Sequence, residues 1–171
     1  MTALLGDPVD IAVVDYGMGN RRSVEKALEH VGASACVTSD AGRLRAAAGL
    51  VVPGVGSFPR AMANLRELRA GSRKRPHIGW NEVRLASAGS ELVTGLPERC
   101  AFYHVHSFVA VPARSQDVLG VCEYGEQFAS VVGKDSFYGV QFHPEKSSAA
   151  GPRLLANFAR ICAAAPTLSS R

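Results

Sequence analysis

The chain has 171 residues, 47% hydrophobic and 20% charged, with a formal net charge of +4. That is enough chain to bury a core without disulfides or metal staples. Four scattered cysteines with no Cys-x-x-Cys pair argue against a disulfide framework and for reduced thiols in a cytoplasmic protein. The excess charge sits in one place, since Arg66, Arg69, Arg73, Lys74 and Arg75 face only Glu67 between Arg66 and Arg75. No aromatic residue interleaves with them, so a solvated linker is expected there and no nucleic acid as partner.

Residues 1–10 have no basic segment ahead of an apolar run and are expected to be a disordered leader. The apolar stretch Ile11–Val14 stops at Asp15, too short for a signal peptide or a membrane span. It reads as a strand buried on both faces. Asp15-Tyr-Gly-Met-Gly-Asn20 follows as a turn, then Val24, Ala27, Leu28 and Val31 at helical spacing, with Gly32 as the stop. A strand over Ser34–Thr38, a small helix capped by Ser39 or Asp40, and a buried strand Leu50–Val52 complete a βαβ-type half. Pro53-Gly-Val-Gly56 leads into a helix marked by Phe58, Met62, Leu65 and Leu68.

After the basic, breaker-rich stretch Arg69–Pro76 the pattern turns β-rich. Strands are expected over His77–Leu85, Ala101–Val111, Val118–Tyr124, Gln127–Val132 and Phe137–Phe142. Tyr124-Gly125 and Gly133-Lys134-Asp135 supply hairpin turns. A last helix carries Leu154, Leu155, Phe158, Ile161 and Cys162 on one face. One domain is expected over 11–163, with a junction at about 69–76 and a tail from 164 to 171.

The sharpest chemical signal is His143-Pro-Glu145 at the end of an apolar strand. Pro144 stiffens the turn and biases His143 towards extended geometry. A base held by a carboxylate is the pattern of a nucleophile–base–orienter triad. The paired glycines at 54 and 56 leave backbone N–H groups free to face an oxyanion. His104 and His106 share a strand face but no third ligand is visible, so no metal site is expected. The Asp15–Asn20 turn lacks the third glycine of a dinucleotide loop. Trp80, the only tryptophan, fits either core packing or an interface.

Together, Asp15-Tyr-Gly-Met-Gly-Asn20, Pro53-Gly-Val-Gly56, His77-Ile-Gly-Trp-Asn81, Val105-His-Ser-Phe108 and Gly139-Val-Gln-Phe-His-Pro-Glu-Lys-Ser-Ser148 stand in one order. They resemble the class I glutamine amidotransferase subunit of imidazole glycerol phosphate synthase, of histidine biosynthesis. The resemblance covers about residues 10 to 162. It implies an α/β, flavodoxin-like three-layer sandwich that hydrolyses glutamine and passes ammonia to a cyclase subunit built as a (βα)8 barrel. It also implies His143 and Glu145 as base and orienter, and Gly54, Val55 and Gly56 as oxyanion region and floor of the glutamine pocket. His106, Ser107 and Phe108 would line the glutamine side, and Asn20, Trp80, Tyr103 and Lys146 would face the cyclase. No cofactor, metal, membrane or nucleic acid enters that scheme.

One departure stands out. Between Leu68 and His77 the family has a central strand, a Gly-x-Cys-x-Gly elbow, a helix and a further strand, and this chain has only Arg69-Ala-Gly-Ser-Arg-Lys-Arg-Pro76. Such elements would occupy roughly 40 residues. None of Cys36 (in an early strand), Cys100 (expected in a loop), Cys122 (mid-strand) or Cys162 (on the last helix) lies at a glycine elbow, and Ser57 is only a remote substitute. Three readings follow: an active glutaminase that feeds the cyclase, a non-catalytic remnant that binds the cyclase, or an incomplete deletion product. The missing nucleophile points to lost glutaminase activity.

Overall fold

In the computed structural model, residues 10–17, 19–54, 77–86 and 90–165 are described. The expected helix at Phe58–Leu68, the basic stretch 69–76, Ser57, and the tail beyond residue 165 lie outside them. Contacts divide the chain into two units, one of residues 1–55 with 152–171, the other of residues 56–151.

In the first unit a three-stranded parallel sheet runs in the order β2-β1-β3, with β1 Asp10–Val14, β2 Ser34–Thr38 and β3 Gly49–Val51. Ile11, Ala12 and Val13 are each at most 1% exposed, so β1 is buried on both faces as its unbroken apolar run requires. Helix α1, Arg21–His30, lays Leu28 onto Ile11 and Val13. A short helix α2, Ala41–Ala46, is capped by Asp40, whose side chain accepts from the Arg43 N–H at 2.8 Å. Helix α3, Ala150–Ala164, brings Leu155 and Ala159 to the same cluster as Leu28. Burying each large aliphatic side chain there stabilises the unit by about 1.5–3 kcal/mol.

The third strand departs from expectation. Leu50 is 50% exposed, so β3 is not buried on both faces, and Val52, 67% exposed, lies just past the strand's end at Val51. Its position explains this, because among the described residues β3 pairs with β1 alone and forms the edge of the sheet.

The second unit is a five-stranded antiparallel sheet in the order β5-β4-β6-β7-β8. Its strands are β4 His77–Leu85, β5 Arg99–His106, β6 Val118–Glu123, β7 Gln127–Lys134 and β8 Phe137–Val140. Beyond β8 the chain returns to β5 through a bridge between Phe142 and His104, so the sheet curls towards closure. Val83, Leu85, Phe102, Cys122, Phe128, Val131 and Phe142 are buried, while Ile78 and Trp80 of β4 are exposed.

Three sequence expectations shift slightly. Strand β5 ends at His106 rather than Val111, with only an isolated bridge from Ala110 to Ala129 beyond it. Strand β7 extends through Lys134, which pairs with Phe137, so the hairpin loop is Asp135-Ser136 with Asp135 at φ +54°. Cys100 is the second residue of β5, not part of a loop.

Candidate functional site

His143 leaves the sheet just after Phe142 and keeps an extended backbone, with φ −97° and ψ 96°. Pro144–Lys146 then form a single 3-10 turn that swings Glu145 back. The His143 Nδ1 lies 3.0 Å from Glu145 Oε1. A carboxylate can only accept, so the proton sits on Nδ1 and the Nε2 lone pair is left to take a proton from elsewhere. The imidazole is 29% exposed and the Glu145 side chain only 4%. Burial raises the Glu145 carboxyl, but the hydrogen bond from His143 and the nearby cations outweigh it, and the net shift is below the ordinary carboxylate range. A solvent-reachable base with a buried, ionised orienter is chemically equipped to deprotonate a thiol or water and to stabilise the imidazolium that results.

The backbone of this turn is bonded to β5. The His143 N–H donates to the Tyr103 carbonyl at 2.9 Å, and Ser147 Oγ accepts from the Tyr103 N–H at 3.0 Å. Tyr103 pairs in register with Trp80, their rings meeting edge to face at 6.0 Å between centroids. Trp80 is 53% exposed, which excludes the core-packing alternative. Lys146 is exposed on the 3-10 turn.

At the end of β5, His106 is part-buried while Ser107 and Phe108 are exposed. His106 Nδ1 lies 3.0 Å from the Phe108 carbonyl and its Nε2 lies 2.9 Å from His77 Nδ1. His77 also stacks on His104 at 4.9 Å and on Tyr124 at 4.0 Å. A third imidazole therefore does join His104 and His106, from β4. The rings stack, both nitrogens of His104 and of His106 and the Nδ1 of His77 are engaged in hydrogen bonds, and among the described residues no group of three His, Cys, Asp or Glu is disposed to hold a metal.

The remaining expected residues belong to the first unit. Gly54 is exposed after Pro53, and among the described residues nothing lies within 4 Å of where a Cβ would stand. Val55 and Gly56 lie outside the described residues. The Asp15–Asn20 loop braces this turn. Tyr16 OH donates to the Pro53 carbonyl, and a Cβ on Gly19, at φ +94°, would sit 2.9 Å from Pro53 Cβ. Asp15 in turn accepts from the Gly17 N–H at 2.9 Å and from Arg21. Asn20 is the N-cap of α1 but makes no side-chain capping bond and stays exposed.

Three of the four thiols are shifted away from reactivity. Burial pushes Cys122 and Cys162 up to about 11 each, and burial followed by the Glu82 charge raises Cys100. Nucleophilic cysteines need the opposite shift. Cys162 is packed so tightly on β3 that a Cβ at Gly49 would meet its Sγ at 2.3 Å. The fourth, Cys36, lies within β2 and away from any glycine elbow.

Sequence reasoning missed Ser147, although it lies inside the quoted Glu-Lys-Ser-Ser run. It also missed His77 as the partner of His106. An antiparallel pairing of two His-bearing strands was the available signal for the second.

Comparison with known proteins matches this arrangement to a family. The family model for glutamine amidotransferase class-I matches residues 61–162. The fold is shared with a protein of Thermoplasma acidophilum described as a component of GMP synthase (TM-score 0.69, 19% identity, 93% of this chain and 96% of that one). It is shared as well with PurLQS from Thermotoga maritima (TM-score 0.68, 14% identity, 90% and 99%). The α/β chain belongs to the class I glutamine amidotransferases. Within them it is similar to the HisH subunit of imidazole glycerol phosphate synthase from Moorella thermoacetica, with 37% identity over 88% of this chain and 94% of the relative. HisH of Methanosarcina barkeri is 35% identical over 89% and 98%. The chain is thus a glutamine amidotransferase subunit of imidazole glycerol phosphate synthase, an enzyme of histidine biosynthesis. No helix among the described residues is long and apolar enough to cross a membrane.

Proposed function

We propose that this chain docks on the cyclase subunit of imidazole glycerol phosphate synthase, whose fold is a (βα)8 barrel, as a cytoplasmic heterodimer, and that it releases no ammonia from glutamine. His143 and Glu145 are read as the retained base and orienter. Gly54 to Gly56 are read as the oxyanion region, and His106, Ser107 and Phe108 as the glutamine side. Asn20, Trp80, Tyr103 and Lys146 are read as the docking residues. With a thiol present, His143 Nε2 takes its proton, the thiolate attacks the glutamine amide carbon, and the same proton then leaves on ammonia. Without the thiol there is no thioester, and nearly all of the triad's contribution goes with it.

The observation that carries the reading is an intact base–orienter pair in a chain whose four cysteines all lie in strands or in the last helix, none at a glycine elbow. Two further facts support a lost internal segment. The alignment to the Moorella relative runs over 199 residues yet takes in 88% of a 171-residue chain, about 150 residues, so roughly 50 positions have no counterpart here. The β3 strand also ends its sheet among the described residues, where the family pattern has the nucleophile strand alongside.

The test is a glutaminase assay on the chain mixed with the cyclase and the cyclase's nucleotide ligand. The expected result is binding to the cyclase with no ammonia above a blank, and measurable ammonia would overturn the proposal. A second reading, an incomplete product with no role of its own, is favoured instead if the chain is insoluble. Sequencing the source gene across the codons for Leu68 to His77 separates the two, because an intact Gly-x-Cys-x-Gly there would restore an ordinary enzyme.

A further inference from the structure

We propose that Ser147 is a positioning residue for His143, holding the imidazole's backbone in place through a closed hydrogen-bonded ring with Tyr103. The inference rests on the reading of His143 as a base, but its geometry stands apart from any reaction. Ser147 is 1% exposed. Its hydroxyl is fully engaged, donating to the His143 carbonyl at 2.6 Å and accepting from the Tyr103 N–H at 3.0 Å. The His143 N–H donates back to the Tyr103 carbonyl at 2.9 Å, which closes the ring. Both backbone polar groups of His143 are therefore spoken for by residues four positions along the chain and forty positions back. Only the imidazole remains to be oriented, and Glu145 does that from the intervening turn.

Ser147 is itself held. Its N–H donates to the Pro144 carbonyl at 3.1 Å and its carbonyl accepts from the Gly151 N–H at 2.8 Å. The chain passes Pro144 so closely at Gly151 that a Cβ there would lie 1.9 Å from the Pro144 carbonyl oxygen. The turn has no slack on that side. A serine that only filled space would need neither bond, and buried polar groups that lose their partners are costly because water cannot replace them. Removing the hydroxyl frees the Tyr103 N–H and leaves the His143 carbonyl with only the Lys146 N–H, which donates to it at 3.1 Å. The Nδ1–H of His143 then loses its fixed aim at Glu145.

The test is nuclear magnetic resonance on the full chain labelled with ¹⁵N, recorded well below the unfolding temperature. In the unaltered chain, long-range ¹H–¹⁵N spectra of His143 should show a single Nδ1-protonated tautomer at neutral pH. Ser147→Ala should give a tautomer-averaged pattern and speed exchange of the Tyr103 amide by about tenfold, the equivalent of one ordinary hydrogen bond. Ser147→Thr, which keeps the hydroxyl, should restore the single tautomer. Ser130→Ala removes a different buried hydroxyl, the one on His104, and should leave His143 unchanged. A Ser147→Ala spectrum of His143 that matches the unaltered chain overturns the proposal, whatever the variant's stability. If Ser147→Ala does not fold, the unaltered chain still decides, since a Tyr103 amide exchanging as fast as an exposed strand-edge amide also overturns it. Neither readout depends on ammonia release or cyclase binding, so failure here is distinct from failure of the proposed function.

Discussion

His77 and His106 face each other across the β4–β5 ladder, with Nδ1 of the first 2.9 Å from Nε2 of the second. Burial keeps His104 and His106 neutral near pH 7, and the bonds then set their tautomers. His106 must carry its proton on Nδ1 to donate to the Phe108 carbonyl, so its Nε2 accepts from His77. His104 likewise donates from Nδ1 to the Phe102 carbonyl and accepts from Ser130 Oγ at Nε2.

Acid should therefore undo the second unit. Burial, and then the neighbouring imidazoles, push His104 and His106 down from 6.5 to about 4, and burial lowers His77. A histidine whose folded value is depressed binds its proton more readily when unfolded, so stability is full above about pH 6.5 and falls as pH drops towards 4. Allowing for solvent screening, His104 and His106 should each cost about 1 kcal/mol between pH 7 and 5. Urea unfolding at those two pH values checks it. His104→Phe should flatten the dependence, and an unchanged slope would show that other groups set it.

A second prediction concerns Glu145. Glu145→Gln retains an acceptor for the His143 Nδ1–H but loses the charge, whereas Glu145→Ala leaves that donor without a partner at a carboxylate site only 4% exposed. Glu145→Ala should cost about 1–3 kcal/mol and Glu145→Gln less. Because the carboxyl titrates below its ordinary value, its contribution is present above the normal carboxylate range and is lost as pH falls through the lower, folded value. The gap between Glu145→Ala and the unaltered chain should accordingly narrow in strong acid, as read by thermal unfolding.

Glu25 supports a third. It lies on α1, is 9% exposed, and accepts from the Val37 N–H of β2 at 2.9 Å while pairing with Arg22 at 2.8 Å. The Arg22 side chain is 81% exposed, so that pair contributes less than about 1 kcal/mol. The bond to Val37 matters more, because it ties helix to strand. Glu25→Ala should destabilise the first unit by about 1–3 kcal/mol, and Glu25→Gln, which keeps an acceptor, by less. Equal losses in urea unfolding would mean that the Val37 bond is not the source.

The balance of what the sequence revealed follows from range. β1, α1 and the Asp40 cap are written in runs of a few residues, Ile11 to Val14 and Val24 to Val31, and local pattern sufficed for them. His143 and Glu145 are two apart on a stiff turn, so their bond was legible as well. The exposure of Leu50 was not, because it depends on which strand lies beside β3 rather than on β3 itself. The third histidine was also hidden, since His77 and His106 meet only once two strands separated by 29 positions are paired. Ser147 escaped for the same reason, as its partner Tyr103 is 44 residues away.

The proposed docking face makes a fourth prediction. Trp80 and Tyr103 form an edge-to-face pair on the side of the sheet where Ile78 is also exposed, at 59%. Trp80→Ala should change folding stability by no more than about 0.5–1 kcal/mol, because the residue is 53% exposed. If this face meets the cyclase, the same change should weaken binding by on the order of 2 kcal/mol, as central aromatic anchors do, or roughly thirtyfold. Calorimetric titration against the cyclase measures it. Unchanged affinity would move the interface elsewhere.

The last prediction tests the missing segment directly. If His143 and Glu145 are a working pair lacking only their nucleophile, a strand, Gly-x-Cys-x-Gly elbow, helix and strand taken from a HisH relative and inserted between Leu68 and His77 should restore glutamine hydrolysis in the presence of the cyclase. The inserted strand would also find an edge to pair with at β3, which has a neighbour on one side only among the described residues. Leu50 should then lose its exposure, and the unfolding midpoint should rise. The same insert with its cysteine changed to alanine should raise the midpoint equally and release no ammonia, which separates repair of the sheet from repair of the chemistry. His143→Ala in the repaired chain should cut the restored rate by at least about a hundredfold, the usual contribution of a positioned general base. A repaired chain that folds better and stays silent would mean that the base–orienter pair is no longer placed for attack.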